Sequence, residues 1–222
     1  MTTLIIVRHG QSVANLEEVF TGQSNIPLTE LGHWQAERSA EYLDRYSIDQ
    51  IYASDLLRAY QTAEHTAARQ NKPIQTDTAF REIFAGEWEG KKYLELPVAF
   101  PQSFEVWKNS VSRAHPDGGE SVVELSDRVW TGIKRLLEKH KGECIAVFTH
   151  ATPVRTMAWR WFGYDIANET EERLAEADAV PFCANASISI VEYDDEENVN
   201  VVAYSYHDHL EGMLTDLPRN LV

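Results

Sequence analysis

Cysteine is scarce in this chain. Its 222 residues hold only Cys144 and Cys183, which have no metal-ligand spacing and lie in apolar stretches, so both read as buried, reduced thiols. Cations are short as well: 20 Lys and Arg stand against 35 Asp and Glu, a formal net charge of −15. That balance argues against non-specific binding to nucleic acid or to an anionic membrane. It leaves room for a small anionic ligand, because a few converging cations reverse the potential locally. No apolar run approaches the length of a membrane span, and the N-terminus enters the first apolar stretch without a basic n-region. A cytoplasmic location is the expectation. There is no Pro/Gly/Ser-rich linker, no low-complexity run and no repeat of fixed period, so residues 1–222 are expected to form one domain with a sizeable core. The composition leaves a homo-oligomer open.

What is present is organised around Leu4–Asn15, LIIVRHGQSVAN. Three of the four residues Leu4 to Val7 are β-branched, which favours a buried strand. Arg8, His9 and Gly10 then stand at its C-terminal end, the edge where open α/β sheets bind ligands. Arg8 supplies a planar fork of donors for phosphate or carboxylate, and Gly10 is expected to allow a close backbone approach to a ligand or a positive φ.

The same grammar recurs twice. Asp49–Ala53 reads as a strand followed by Ser54 or Asp55 capping a helix that carries Arg58 and runs to about Asn71. Cys144–Phe148 reads as a strand ending in Thr149 and His150, with Pro153 opening a further helix to about Phe162. Between them, Thr29 caps a helix to about Tyr46 with apolar positions at Leu31, Trp34, Ala40 and Leu43, and Ser121 with Glu124 forms a capping box for a helix to His140. Phe20–Pro27 and Phe80–Trp88 read as irregular, and Tyr93–Val111 as short helices broken near Pro97 and Pro101. An acidic helix is expected at Asn168–Ala177, then strands at Ser187–Tyr193 and Val199–Tyr206 that could pair across the Asp194–Asn198 turn. Alternating strands and helices mean an α/β fold with a largely parallel sheet.

Parallel strands lie about 5 Å apart, so Arg8, His9, Arg58 and His150 can meet around one small ligand. A helix N-terminus after His150 adds amides and a positive dipole end. So many donors suit a tetrahedral phosphoryl group better than a carboxylate. Neither histidine has HExxH spacing, nearby cations would repel a metal, and the HDH at His207–His209 has no third partner in view, so no metal and no cofactor are expected. A neutral imidazole can instead attack phosphorus when its other nitrogen is held by an acceptor. The leaving oxygen needs a proton, for which the candidate is Glu82: a bound phosphate pushes a neighbouring carboxyl toward its protonated form.

Six stretches together resemble the histidine phosphatase superfamily, also called phosphoglycerate mutase-like: VRHGQSVAN, FTGQSNIPLTELGHWQA, YASDLLRAYQTA, FREIFAGEWEG, FTHATPVR and CANASISIVEYD. They span nearly the whole chain. The resemblance implies a three-layer α/β/α sandwich and a metal-free reaction on a small phosphorylated substrate. It implies His9 as the phosphorylated nucleophile and Glu82 as proton donor, with Arg8, Arg58 and His150 on the phosphoryl group. Asn15, Thr21, Gly22 and Ala151 join the substrate-binding set by the same resemblance. Two positions depart from the family: Ala151, where glycine is common, and Gln11, where mutases carry glutamate and many phosphatases glutamine.

Other residues read more plainly. His33, His65, His115 and His140 have no partner motif and suit surface or packing roles. Trp159, Trp161 and Phe162 read as core, Glu169–Glu176 as a solvated helix face, and His207 and His209 as structural. Tyr93–Trp107 contains no Lys or Arg, two acidic residues and four aromatics (Tyr93, Phe100, Phe104, Trp107), a wall suited to a less charged leaving group. Lys91, Lys92, Lys108 and Arg113 flank it. A monoester phosphatase is therefore favoured over a phosphoglycerate mutase or a phospho-ligand binding module.

Overall fold

The computed structural model describes residues 1–196 and 198–215. In chain order its elements are β1 (Thr2–Arg8), α1 (Val13–Leu16), α2 (Glu30–Leu43), β2 (Gln50–Ala53), α3 (Leu57–Gln70), β3 (Ile74–Thr76), α4 (Leu96–Ala99), α5 (Pro101–Asn109), α6 (Val122–Lys139), β4 (Cys144–Thr149), α7 (Ala151–Trp161), α8 (Glu171–Asp178), β5 (Ile188–Tyr193) and β6 (Val199–Tyr206). The sheet order is β3-β2-β4-β1-β5-β6. The first four strands are parallel, and β5 runs antiparallel to both β1 and β6. Glu197, in the expected β5–β6 turn, lies outside the described residues.

The central strands are buried on both faces, which is why they read as unbroken apolar runs. Alternation splits each between two cores. Leu4, Ile6, Ile145 and Val147 pack with α6, α7 and the segment that carries Phe80 and Trp88. Ile5, Val7, Ala146 and Phe148 pack on the other face with Leu43, Ala63 and Ala67 of α2 and α3. Helices thus cover both sides, giving the three-layer α/β/α sandwich.

Several local expectations change. Trp34 is 55% exposed, because the buried stripe of α2 is made of Gly32, Gln35, Ala36, Ser39, Ala40 and Leu43. Neither Ser54 nor Asp55 caps α3. Its N-cap is Leu56, which has no capping side chain, and the Leu57 N–H donates instead to Asn25 Oδ1 at 2.7 Å, from the Phe20–Pro27 loop. Ser54 and Asp55 are drawn into tertiary contacts, Ser54 with His150 and Asp55 with Arg81. Helix α7 starts at Ala151, two residues before Pro153, with His150 as N-cap. The expected short helices form and break at Phe100, just before Pro101; Pro97 and Pro101 themselves sit in the first turns of α4 and α5, where a missing N–H costs nothing. Cys183 is buried and Cys144 only partly so; both are free thiols.

Candidate active site

Register brings the three strand ends together. Arg8 pairs with Thr149 across β1 and β4, and Ala53 pairs with Phe148 across β2 and β4. One residue further, the His9 N–H donates to Thr149 O at 2.9 Å and the Ser54 N–H to Phe148 O at 2.9 Å. With β4 in the middle, His150 stands between His9 and the β2–α3 turn. The two imidazole rings lie 5.2 Å apart between centroids.

His9 is buried, 4% exposed, at the floor of a cleft. Its Nδ1 lies 2.7 Å from Gly10 O. A carbonyl can only accept, so Nδ1 carries the proton and Nε2 keeps its lone pair. Burial first, then the charges of Arg58 and Arg8, hold the imidazole well below its ordinary 6.5, against the opposing pull of the Gly10 bond. His9 is therefore neutral near pH 7. Gly10 is not among the residues that line the cleft and has no positive φ. A Cβ there would lie 2.4 Å from Gly32 O, and a Cβ on Gly32 would lie 2.1 Å from Gln11 O. The glycine pair lets α2 dock against the backbone that follows His9.

His150 has no exposed surface. Its Nε2 is 2.8 Å from Ser54 Oγ, while Nδ1 has no partner. With the Ser54 hydroxyl donating to Nε2, the proton sits on Nδ1, an unused buried donor beside His9. Burial, then the charges of Arg58, His9 and Arg8, push His150 well below 6.5 too. Both rings are uncharged, and the positive charge of the cleft rests on its arginines.

Those arginines are fixed by carbonyls. Arg8 donates through Nη1 to Cys183 O at 2.5 Å, and its Nε is a buried donor without a partner. Arg58 donates through Nη2 to Gly22 O at 2.8 Å and through Nη1 to Ser24 O at 3.0 Å. Burial above all lowers Arg58 to about 10, with Glu82 pulling the other way, so it stays cationic at neutral pH. The loop that supplies these carbonyls is pinned by Glu89, which accepts from Gln23 N–H and the Ser24 hydroxyl. Gly22, at φ +50°, holds a left-handed conformation that strains any side chain, and a Cβ there would also displace Glu89, whose Oε1 would lie 2.4 Å away. Thr21 and Gly22 both line the cleft.

Glu82 also lines the cleft, with Oε1 accepting from Ile83 N–H at 2.9 Å and Oε2 3.5 Å from Thr152 N. Its segment is held by Arg128 of α6, which donates to Ala79 O at 2.9 Å and Arg81 O at 3.1 Å, and by Gln23 Nε2, 3.1 Å from Glu82 O. Asn15 Oδ1 accepts from Ser12 N–H and from Asn185 Nδ2, so the donor left to offer the cleft is its Nδ2 amide. Ala151 is the first residue of α7, its N–H has no intrahelical acceptor, and its φ is not positive. Alanine therefore fits without strain at this position.

The cleft gathers Arg8, His9, Asn15, Thr21, Gly22, Arg58, Glu82 and Ala151, and His150 lies directly behind it against His9. Of the four expected wall aromatics, only Tyr93 and Trp107 line it; Phe104 is buried, and both Phe104 and Phe100 pack against Trp88. Phe182, Val19 and Phe20 complete the apolar side. Burial, then the charge of Glu82, pushes the Tyr93 phenol up, so it stays protonated. His207 and His209 do not line the cleft. His207 Nδ1 bonds to Ser205 O, and His209 Nε2 to Ser39 Oγ and Ala186 O. Gln11 is likewise structural, its Oε1 accepting from the Thr29 hydroxyl.

Sequence reading missed Ser54, Phe182, Arg128 and Asn185. Asn185 Nδ2 reaches both His9 O, at 3.1 Å, and Asn15 Oδ1, at 3.2 Å, and so ties the His9 backbone to Asn15. Its one signal was the CANAS segment, which marked a strand entry without assigning a role to Asn185.

Residues 4–205 match the sequence model of the histidine phosphatase superfamily (branch 1). Phosphoglycerate mutase-like protein 4 of Arabidopsis thaliana is 30% identical over 211 residues, 94% of this chain and 86% of the relative. Phosphoserine phosphatase 1 of Hydrogenobacter thermophilus is 29% identical over 199 residues, 90% of each chain. The solved structure of Bacillus stearothermophilus YhfR superposes with a TM-score of 0.86 at 27% identity, over 95% of this chain and 100% of the other. Two strand-end histidines beside two carbonyl-anchored arginines, together with a motif set running through most of the chain, lead to one assignment: this chain belongs to the histidine phosphatase superfamily.

Proposed function

We infer that the chain is a phosphomonoester hydrolase that works through a phosphohistidine. One observation carries the reading: a neutral His9, its Nδ1–H fixed on Gly10 O, offers Nε2 to a cleft that also holds Arg8, Arg58 and Glu82. Nε2 attacks phosphorus in line, the P–O bond to the alcohol breaks, and Glu82 gives its proton to the departing oxygen. Water then attacks the phosphohistidine, the P–N bond breaks, and the Glu82 carboxylate takes the water's proton. Arg8, Arg58, the His150 Nδ1–H, the Asn15 amide and the Ala151 N–H bind the equatorial oxygens. The relative named as a phosphoserine phosphatase supports hydrolysis. We also propose one such domain over 1–222, with a six-stranded sheet drawn from Thr2 to Tyr206 in support. A cytoplasmic location is supported by the two free thiols, and no described helix is long and apolar enough to cross a membrane.

A mutase must hold a substrate with two anionic ends. Among the described residues the cleft has only Arg8 and Arg58 as cations. Lys91, Lys92, Lys108 and Arg113 do not line it: Lys91 lies over the Phe100 ring and Arg113 pairs with Glu171. The test sets an aryl phosphate against 3-phosphoglycerate with its bisphosphorylated primer. Ready release of inorganic phosphate is expected, with little 2-phosphoglycerate. Interconversion outpacing phosphate release would make the protein a mutase, and no turnover of either, nor of a panel of phosphorylated metabolites, would leave a binding module.

A further inference from the structure

Beside the cleft is a second recess of 340 Å³, and the two share Trp107 and Phe182 as a common wall. We propose that this recess receives the far end of the substrate's alcohol half, and that this end carries a carboxylate or other anion. The proposal rests on the phosphomonoesterase reading.

Arg155 supplies the cation. It is 4% exposed, and its guanidinium stacks on Phe182, 4.3 Å from the ring centroid. Among the described residues its five N–H donors make one hydrogen bond, from Nη2 to Asp178 O, and Nε is buried without a partner. Trp107 is 3% exposed, and its indole N–H has no partner either. Buried donors in folded proteins are nearly always satisfied. Those two enclosed atoms do not open on the recess, but the Arg155 guanidinium lines it with Nη1 accessible and unpartnered among the described residues, and this charged donor calls for an acceptor from outside the chain. The Asp178 carboxylate, which accepts from Ser112 N–H at 2.8 Å and Ser112 Oγ at 2.9 Å, keeps its charge and offsets one cation of the lining, so the net positive charge of the recess needs Lys108 as well as Arg155. Lys108 adds a second positive charge to the lining.

A small acid confined to the cleft does not meet Arg155, which lines only the recess. A longer alcohol passes along the Trp107–Phe182 wall and meets it. The recess therefore selects by reach as well as by charge.

The test uses phosphate esters of ω-hydroxy acids of increasing chain length, each beside the same chain ended as a neutral amide. In the wild-type protein one length should favour the acid by about tenfold in kcat/KM, mainly through KM, as a charge-assisted hydrogen bond implies. In Arg155→Met that ratio should fall to about one, and because it is a ratio, a general loss of activity cancels. Equal rates for acid and amide at every length overturn the proposal and leave the phosphatase reading intact, and this comparison needs no variant. A preference that survives in Arg155→Met also overturns it. Failure to hydrolyse any of these esters or a simple aryl phosphate removes the phosphatase reading, and the recess assignment with it.

Discussion

At the scale of single residues, the site separates charge from reactivity. The arginines carry the charge, and both histidines are kept neutral by burial beside them. Glu82 has a distinct task that substrate chemistry can isolate. Glu82→Gln should slow alkyl phosphates by about 10²-fold or more, the usual contribution of a general acid, and slow aryl phosphates with acidic leaving groups much less. An equal loss in both series would remove Glu82 from that role. The histidines also leave a mark on stability. Their folded pKa values lie below the unfolded 6.5, so between the two values the unfolded chain binds more protons and stability rises with pH. The contribution is complete above about 6.5 and is lost as pH falls from there through the folded values. Thermal unfolding should therefore occur at lower temperature as pH drops from neutrality toward 5, with a shallower fall in His9→Gln. A slope identical to wild type would show that His9 does not titrate this way.

At the scale of elements, irregular loops hold the helices that hold the site. Asn25 takes up the first N–H of α3, the helix bearing Arg58, while Arg58 returns two hydrogen bonds to the same loop. Asn25→Ala should cost on the order of 1 kcal/mol, as the loss of a helix cap does, and should weaken competitive inhibition by inorganic phosphate. Unchanged phosphate affinity would mean that the loop does not position Arg58. The docking of α2 is less forgiving. An added methyl on Gly32 meets the Gln11 backbone, which cannot swing aside as a side chain can. Gly32→Ala should be destabilising by about 1–3 kcal/mol in urea titration and should lower kcat by displacing the segment that follows His9. Wild-type stability in that variant would show that α2 has room to shift.

At the scale of the whole molecule, an acidic body of net charge −15 carries a cationic cleft. In the proposed reaction, the N–H donors and guanidinium groups of the cleft neutralise the phosphoryl group. Among the described residues no three His, Cys, Asp or Glu side chains are gathered as a metal would need. Phosphate release should survive exhaustive treatment with EDTA. Loss of activity on chelation, with recovery on adding a divalent ion, would overturn the metal-free mechanism.

The sequence determined the features that are local. Buried central strands announce themselves as apolar runs because both faces are covered, and Arg8, His9 and His150 were legible as the polar residues that end such runs. Caps at Thr29 and Ser121 were legible because a side-chain oxygen needs only the next turn of its own helix. Tertiary structure decided what depends on neighbours distant in the chain. Strand order β2-β4-β1 sets His150 between His9 and Ser54, and no pattern within one strand encodes its neighbours. Gly10 was expected at a ligand and instead faces Gly32. Ser54 resembled a cap, but burial beside His150 made that imidazole its better partner. Arg8 is held by Cys183 and His9 by Asn185, contacts 175 and 176 residues apart along the chain. Such pairs form only when the antiparallel end of the sheet folds back beside β1, so their physical reason is the packed sheet itself.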